Sequence, residues 1–207
     1  MSEEPSQGRY NPLIHGPDWA LYEEKNALRA SQRARLAALD PAERAELSRR
    51  LLARLRELPA VRFARRAVLF APLPTEPDID QLWKLGGFAE KRCAYPRVEG
   101  RATRLYYVRG PEELEGTRWG LREPPILAAR QVDPADFDVI LVPGLAFDAR
   151  GGRLGRGGGH YDRLLAGRGK RTILVGCCFA LQKVPAVPAA PHDVRMDYVC
   201  TDEGLLL

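Results

Sequence analysis

The sequence predicts a three-layer α/β domain: a mostly parallel sheet with helices on both faces and two further helices at the N-terminal end. Three observations carry that expectation. Residues 138–142 (DVILV) and 172–178 (TILVGCC) are continuous apolar runs, the pattern of strands buried on both faces, which favours a parallel sheet covered by helices. Two helical patterns precede the first strand pattern. Between the two apolar runs, a glycine-rich stretch leaves one strand and enters a helix.

Taken in order, residues 1–18 are polar and proline-rich and are expected to form a loose tail, leaving 19–207 as a single domain. Asp18 can cap a helix over 21–39. Asp40-Pro41-Ala42-Glu43 is a second helix start, with an N-cap Asp, Pro at the first helical position and Glu three residues on. Leu47, Leu51, Leu55 and Leu58 recur at helical spacing and give that helix one buried stripe. Residues 66–71 (RAVLFA) are expected to form the first strand. Pro72, Pro74 and Pro77 mark a loop, followed by a short helix over 79–85. Further strands are expected at 93–95, 104–108, 138–142, 172–178 and 198–201.

Composition narrows the function classes. Hydrophobic residues make up 45% and charged residues 29%, as in a folded soluble domain. The apolar stretches 139–147 and 173–181 fall well short of the roughly 18 residues a membrane helix needs. With no basic-then-apolar start, the cytoplasm is the expected location. Cys93, Cys177, Cys178 and Cys200 form no C-x-x-C pair, so neither a zinc site nor a disulfide framework is expected. The net charge is +5 with a pI near 9.2, and arginine carries it, with 27 Arg against 5 Lys. Arginine forks suit phosphate and carboxylate, so ATP, an acidic small molecule and nucleic acid all fit this charge.

The chemistry concentrates in residues 142–165, VPGLAFDARGGRLGRGGGHYDRLL. Between Gly151 and Gly159, six of nine residues are glycine. Glycines let backbone N–H groups approach a ligand, a helix start favours an anion, and Arg153 and Arg156 add full charges. Together these describe a phosphate cradle. It is not a Walker A sequence, since no Gly-Lys-Ser/Thr is present, and not the dinucleotide fingerprint, since His160 stands at the sixth position.

The run PGLAFD…GGRLGRGGGHYDRLL resembles the signature of the 5-formyltetrahydrofolate cyclo-ligase family, also called methenyltetrahydrofolate synthetases. Lys25-Asn-Ala-Leu-Arg29, residues 70–76, Tyr95-Pro96-Arg97, Trp119-Gly120 with Glu123-Pro124, and His192-Asp193 to Asp197 support it. The resemblance implies an ATP- and magnesium-dependent ligase that converts 5-formyltetrahydrofolate to 5,10-methenyltetrahydrofolate, releasing ADP and phosphate. It implies that Lys25, Arg29, Arg153, Leu154, Gly155, Arg156, Gly157, Gly158, Gly159, His160 and Tyr161 bind ATP, with Arg156 the catalytic charge on the γ-phosphate. His160 stands where the family usually has an aromatic. Ala71, Glu76, Trp119 and Tyr161 are implied to bind the folate, and Asp162 and Asp193 the magnesium ion. Helix capping is the competing role for Asp162. Asp148 is expected to shape a turn, Arg33 to sit on a solvated face, and Arg97 to meet a folate carboxylate or nothing. A monomer without membrane or nucleic-acid partners is expected. The alternative is a non-catalytic nucleic-acid-binding protein on the same scaffold.

Overall fold

The computed structural model describes residues 19–85, 88, 90–117, 120–190 and 193–207. Two long helices come first, α1 (Trp19–Ala37) and α2 (Pro41–Glu57), then a single turn, α3 (Pro59–Arg62). Asp40 caps α2 as its sequence demands: its carboxylate accepts from the N–H groups of Ala42 at 2.8 Å and Glu43 at 3.4 Å. The strands are β1 (Arg66–Val68), β2 (Arg92–Glu99), β3 (Ala102–Val108), β4 (Glu115–Gly116), β5 (Arg122–Glu123), β6 (Gln131–Val132), β7 (Val139–Val142), β8 (Ala146–Phe147), β9 (Arg153–Leu154), β10 (Ile173–Cys177) and β11 (Tyr198–Cys200). Helix α4 (His160–Ala166) comes directly after the glycine stretch.

Seven strands form the main sheet in the order β11-β10-β7-β1-β2-β3-β6. The pairings from β11 to β2 are parallel, and those of β2 with β3 and β3 with β6 are antiparallel. The mostly parallel sheet is therefore mixed at one side, where the hairpin over Gly100 turns the chain back. This hairpin extends the short strand expected at 93–95 to eight residues, beyond the apolar segment that signalled it. The reverse happens at β1, which ends at Val68; only the N–H of Leu69, donating to Ala94 at 2.9 Å, continues the ladder. The helix expected over 79–85 is a 3₁₀ turn at Ile79–Trp83. The Asp18 cap lies outside the described residues.

Alternation along the central strands explains the layers. Ala67, Val139, Leu141, Val175 and Cys177 face a core closed by Leu51, Leu52, Leu55 and Leu58 of α2 and its C-terminal end. Val68, Ile140, Val142 and Leu174 face the opposite core, closed by Leu164 and Leu165 of α4. Helix α1 belongs to neither layer. Its Leu36 packs with Leu145 and Phe179, and its Leu28 packs against Ala146, Leu154 and Val187, so it lies across loops beyond the strand ends. From β1 the chain goes to β2 on one side, and it later returns to β7 on the other. The strand order thus reverses between β1 and β7, and the crevice beyond their carboxyl ends is where ligands collect in such sheets.

Leu55 is fully buried in the α2 core. Leu55→Ala should lower the unfolding free energy by about 2–5 kcal/mol, read from denaturant midpoints at unchanged slope.

Candidate functional site

A cavity of about 330 Å³ occupies that crevice. Phe70, Ala71, Leu73 and Glu76, on the chain leaving β1, form one wall; Pro143 and Gly144, on the chain leaving β7, face them; and the segment Arg153–Asp162 forms the floor. Lys25 and Arg29 of α1 close one end, Asp193 lies beside them, and Pro96, Val98, Thr103, Arg122 and Glu123 close the other. Every residue expected to bind ATP, folate or metal therefore borders one cavity, except Trp119, which lies outside the described residues.

The glycine stretch is held in shape from several directions. Asp148 stands at the turn between β8 and β9. One of its carboxylate oxygens accepts from the N–H groups of Arg150 at 2.8 Å and Gly152 at 2.9 Å, and the other from Val187 at 2.8 Å. This is the turn role its position in the sequence suggests. Burial alone would push its carboxyl up, but the three N–H donors and the Arg150 charge outweigh it and hold the group below the ordinary carboxylate value. Gly151 has φ +77, and a Cβ there would stand 2.4 Å from the Met196 carbonyl oxygen, so only glycine fits. Gly159, at φ +64, turns the chain into α4.

Helix α1 grips the same segment. Arg29 donates through Nε to the Gly155 carbonyl at 3.0 Å and through Nη1 to Asn26 Oδ1 at 2.6 Å. One turn on, Arg33 donates to the Arg156 carbonyl at 3.1 Å. Arg33 is therefore not simply a solvated charge, as its spacing suggested; it joins the helix to the loop.

Among the described residues, three ion pairs span the cavity. Lys25 Nζ meets Asp193 at 2.5 Å, Arg153 Nη2 meets Asp162 at 2.6 Å, and Arg156 meets Glu76 Oε1 through Nε at 3.0 Å and Nη2 at 2.8 Å. Glu76 Oε2 accepts from the Leu73 N–H at 3.0 Å. The Asp162 carboxylate makes no cap of α4, contrary to the capping role open to it in the sequence; it is spent on Arg153, whose side chain is only 3% exposed. Arg153 also lies 5.7 Å from the Tyr161 ring centroid. Burial, reinforced by the Glu76 charge, pushes the Tyr161 phenol up, so it stays neutral. The buried Nε–H of Arg153 has no hydrogen-bond partner among the described residues. An orphan donor on a buried guanidinium is costly unless a ligand accepts from it, and a phosphate oxygen would. His160 borders the cavity with Nδ1 3.4 Å from Thr103 Oγ1 and 3.2 Å from Arg163 Nη2.

Several site residues gave no sequence signal. Arg122 borders the cavity and is held by Asp80 at 2.5 Å; Asp80 also accepts from Tyr95 Oη at 3.2 Å, which in turn accepts from Trp83 Nε1 at 2.9 Å. One arginine among 27 cannot be singled out without its neighbours. Buried Gln182 receives the Phe179 N–H at 2.8 Å and donates to the Gly144 carbonyl at 2.7 Å, fixing the β7 wall. Arg97 does not border the cavity and donates to the Pro124 carbonyl at 2.6 Å. Among the described residues, no group of three or more His, Cys, Asp and Glu is gathered as a metal cage.

Residues 22–202 match the model of the 5-formyltetrahydrofolate cyclo-ligase family. A 5-formyltetrahydrofolate cyclo-ligase of Escherichia coli K12 is 33% identical over 82% of this chain and 95% of its own length. One of Mus musculus is 29% identical over 87% of this chain and 94% of its own. Among solved structures, the 5,10-methenyltetrahydrofolate synthetase of Aquifex aeolicus superposes with a TM-score of 0.77 at 32% identity, covering 87% of this chain and 91% of that one. A 5,10-methenyltetrahydrofolate synthetase from Mycoplasma pneumoniae, at 22% identity and a TM-score of 0.70, shares the fold.

The lowered carboxyl of Asp148 has a consequence in acid. Its stabilisation is present above the unfolded-state value of about 3.9 and is lost as pH falls through the lower folded-state value. Asp148→Asn should therefore be less stable than wild type at neutral pH, with the gap closing below about pH 4. Melting temperatures of both proteins from about pH 7 down to pH 2 test this; parallel curves would remove Asp148 from the acid response.

Proposed function

The chain belongs to the 5-formyltetrahydrofolate cyclo-ligase family, and on that premise we propose that it converts 5-formyltetrahydrofolate to 5,10-methenyltetrahydrofolate using ATP and magnesium, releasing ADP and phosphate. It would act as a cytoplasmic monomer, with residues 19–207 as one catalytic domain. Among the described residues, no helix is long and apolar enough to cross a membrane. One observation carries the reading. One cavity sets arginines for phosphate on its floor and a buried carboxylate acceptor on a wall, and Arg156 and Glu76 meet between them.

The substrate dictates the chemistry. The N5 formyl group is amide-like, a poor electrophile with a poor leaving group. Its oxygen attacks the γ-phosphorus of ATP; an O–P bond forms as the bond to the β-phosphate bridging oxygen breaks, and ADP departs. The formyl carbon is now an iminium bearing a phosphate ester. N10 attacks that carbon and closes the five-membered ring. The C–O bond breaks, inorganic phosphate leaves, and the N10 proton is lost to phosphate or water. No covalent bond to the protein is required. The protein's task is positioning, charge stabilisation and exclusion of water.

The residues divide accordingly. Lys25, Arg29, Arg153 and residues 154–155 and 157–161 hold the nucleotide, with the orphaned Nε–H of Arg153 as one waiting donor for a phosphate oxygen. Arg156 stabilises charge on the transferring phosphoryl group. Glu76 accepts from the pterin amide and amino groups, and Ala71, Trp119 and Tyr161 line the folate pocket. Magnesium fits this donor set. Asp162 and Asp193 are hard oxygen donors bordering the cavity beside the cations, and the ion takes one or two such carboxylates plus phosphate oxygens. They would hold it once phosphate draws Arg153 and Lys25 away. When bound, magnesium screens the triphosphate and orients it.

The purified protein mixed with folinate, ATP and magnesium should produce the near-ultraviolet absorbance of the methenyl product. Product without ATP, or none with any divalent metal, would end the ligase reading. Arg156→Ala should lower turnover about 10²-fold or more, equivalent to roughly 3 kcal/mol of barrier. Full turnover in that variant would remove Arg156 from the mechanism. Asp162→Asn keeps the shape but not the charge. It should raise the magnesium concentration for half-maximal activity by about tenfold and lower the melting temperature by loosening Arg153. A lowered melting temperature with an unchanged magnesium midpoint would leave Asp162 as a partner for Arg153 alone.

A further inference from the structure

We infer that Glu76 is an acceptor for which two guanidine-type groups compete, Arg156 in the free protein and the pterin edge of the substrate, so that folate binding hands Arg156 over to the ATP phosphates. The inference rests on the function proposed above and adds an order to it: the charge meant for phosphoryl transfer is withheld until the acceptor of that phosphoryl group has arrived.

The acceptor count of Glu76 forces the exchange. A carboxylate offers about four acceptor positions. Three are taken: one by the Leu73 N–H on Oε2, and two by Nε–H and Nη2–H of Arg156 on Oε1. The pterin edge carries N3–H and the 2-amino group on an N–C–N frame, the same pair of adjacent donors that an arginine presents. It needs two positions where one is left. The Glu76 side chain is 6% exposed, so water cannot make up a shortfall there. At least one Arg156 bond must therefore break when the pterin docks, and the incoming edge reproduces the pattern it displaces.

Arg156 is built to move where Glu76 is not. Its side chain is 36% exposed, and its residue lies between Gly155 and Gly157. Its backbone stays fixed, because Arg33 holds its carbonyl and Arg29 that of Gly155. The guanidinium can swing without the loop moving. Once it loses the carboxylate it is an unpaired cation on the cavity floor, where Asp162 and Asp193 already have Arg153 and Lys25 as partners, so the ATP phosphates become its partner. By linkage, each ligand then tightens the other by the same factor. In the absence of folate, water meets a γ-phosphate that lacks Arg156, which restrains wasteful hydrolysis of ATP.

The test is calorimetric titration with a non-hydrolysable ATP analogue carrying an imido β–γ bridge, in magnesium, with and without folinate. For wild type, folinate should lower the nucleotide Kd by about 5- to 50-fold, a usual range for such coupling. Arg156→Ala should bind the analogue about as wild type does without folinate, and folinate should then change its Kd less than about twofold. Glu76→Gln, if folded, should bind the analogue tightly without folinate and gain nothing from it. An equal wild-type Kd in both conditions, enhancement that survives Arg156→Ala, or no nucleotide binding at all overturns the exchange. Should Glu76→Gln fail to fold, wild type and Arg156→Ala decide the matter alone. Methenyl formation by wild type, measured in parallel, separates the two failures. Product without coupling sinks only this inference, and absence of product sinks the function on which it rests.

Discussion

Strand β7 and the Ala67–Val68 part of β1 turn no face to water: these two residues and 139–142 have no measurable exposure. Everything else in the molecule is arranged around that constraint. Such strands carry no polar chemistry along their length, so both faces must be covered and all reactive groups displaced to the ends. Helix α2 covers one face and α4 the other. Because the chain leaves β1 toward β2 and returns on the other side at β7, the two connections separate beyond the carboxyl ends and leave a crevice between them. The cavity is thus a by-product of strand order, furnished by the loops that leave β1 and β7.

Those loops and the segments packed on them are charged, and charge in a cavity imposes a second constraint. A buried carboxylate or guanidinium without a partner is costly, so the charges that line a cavity must neutralise one another while no ligand is there. Among the described residues, three carboxylates meet three cations across this cavity, each carboxylate from a different place in the chain. Arginine suits this role better than lysine because its fork can hold a carboxylate in one state and a phosphate in another. Much of the arginine excess is used internally: Arg29, Arg33, Arg54 and Arg97 donate to backbone carbonyls, and Arg122 and Arg130 to carboxylates. Net charge alone was therefore a weak guide to the ligand.

Legibility in the sequence tracked the range of the interaction. The N-cap at Asp40, the two doubly buried strands and the turn at Asp148 depend on residues a few positions apart, and each could be read directly. The cradle was readable because six glycines and two arginines lie within nine positions. The pairing of Arg156 with Glu76, 80 residues away, was not readable, nor was the bond from Arg33 to a carbonyl 123 residues on. The length of β2 was hidden for a related reason: its outer half is stabilised by pairing with β3 across the Gly100 turn rather than by a buried face. Asp162 is the instructive mixed case. Its place in the first turn of α4 left helix capping open beside the metal role that the resemblance implied, whereas Arg153, nine residues earlier, drew its carboxylate away from the helix end.

The two residue types that dominate the cradle serve opposite needs. Glycine lets the backbone adopt positive φ and come close to a phosphate, but it loses more conformational freedom on ordering than any other residue. A loop so rich in glycine cannot fix its own shape. Its order comes from outside, through Arg29 and Arg33 on its carbonyls and Asp148 on its N–H groups. Helix α1 itself is anchored by a small number of apolar contacts, chiefly Leu28 and Leu36, and by Lys25 on Asp193. Order in the loop therefore depends on docking of α1, and docking of α1 depends in part on charges that belong to the site. The helix that lies outside the sheet's two cores is part of the site's frame, and its arginines supply the rigidity that the glycines cannot.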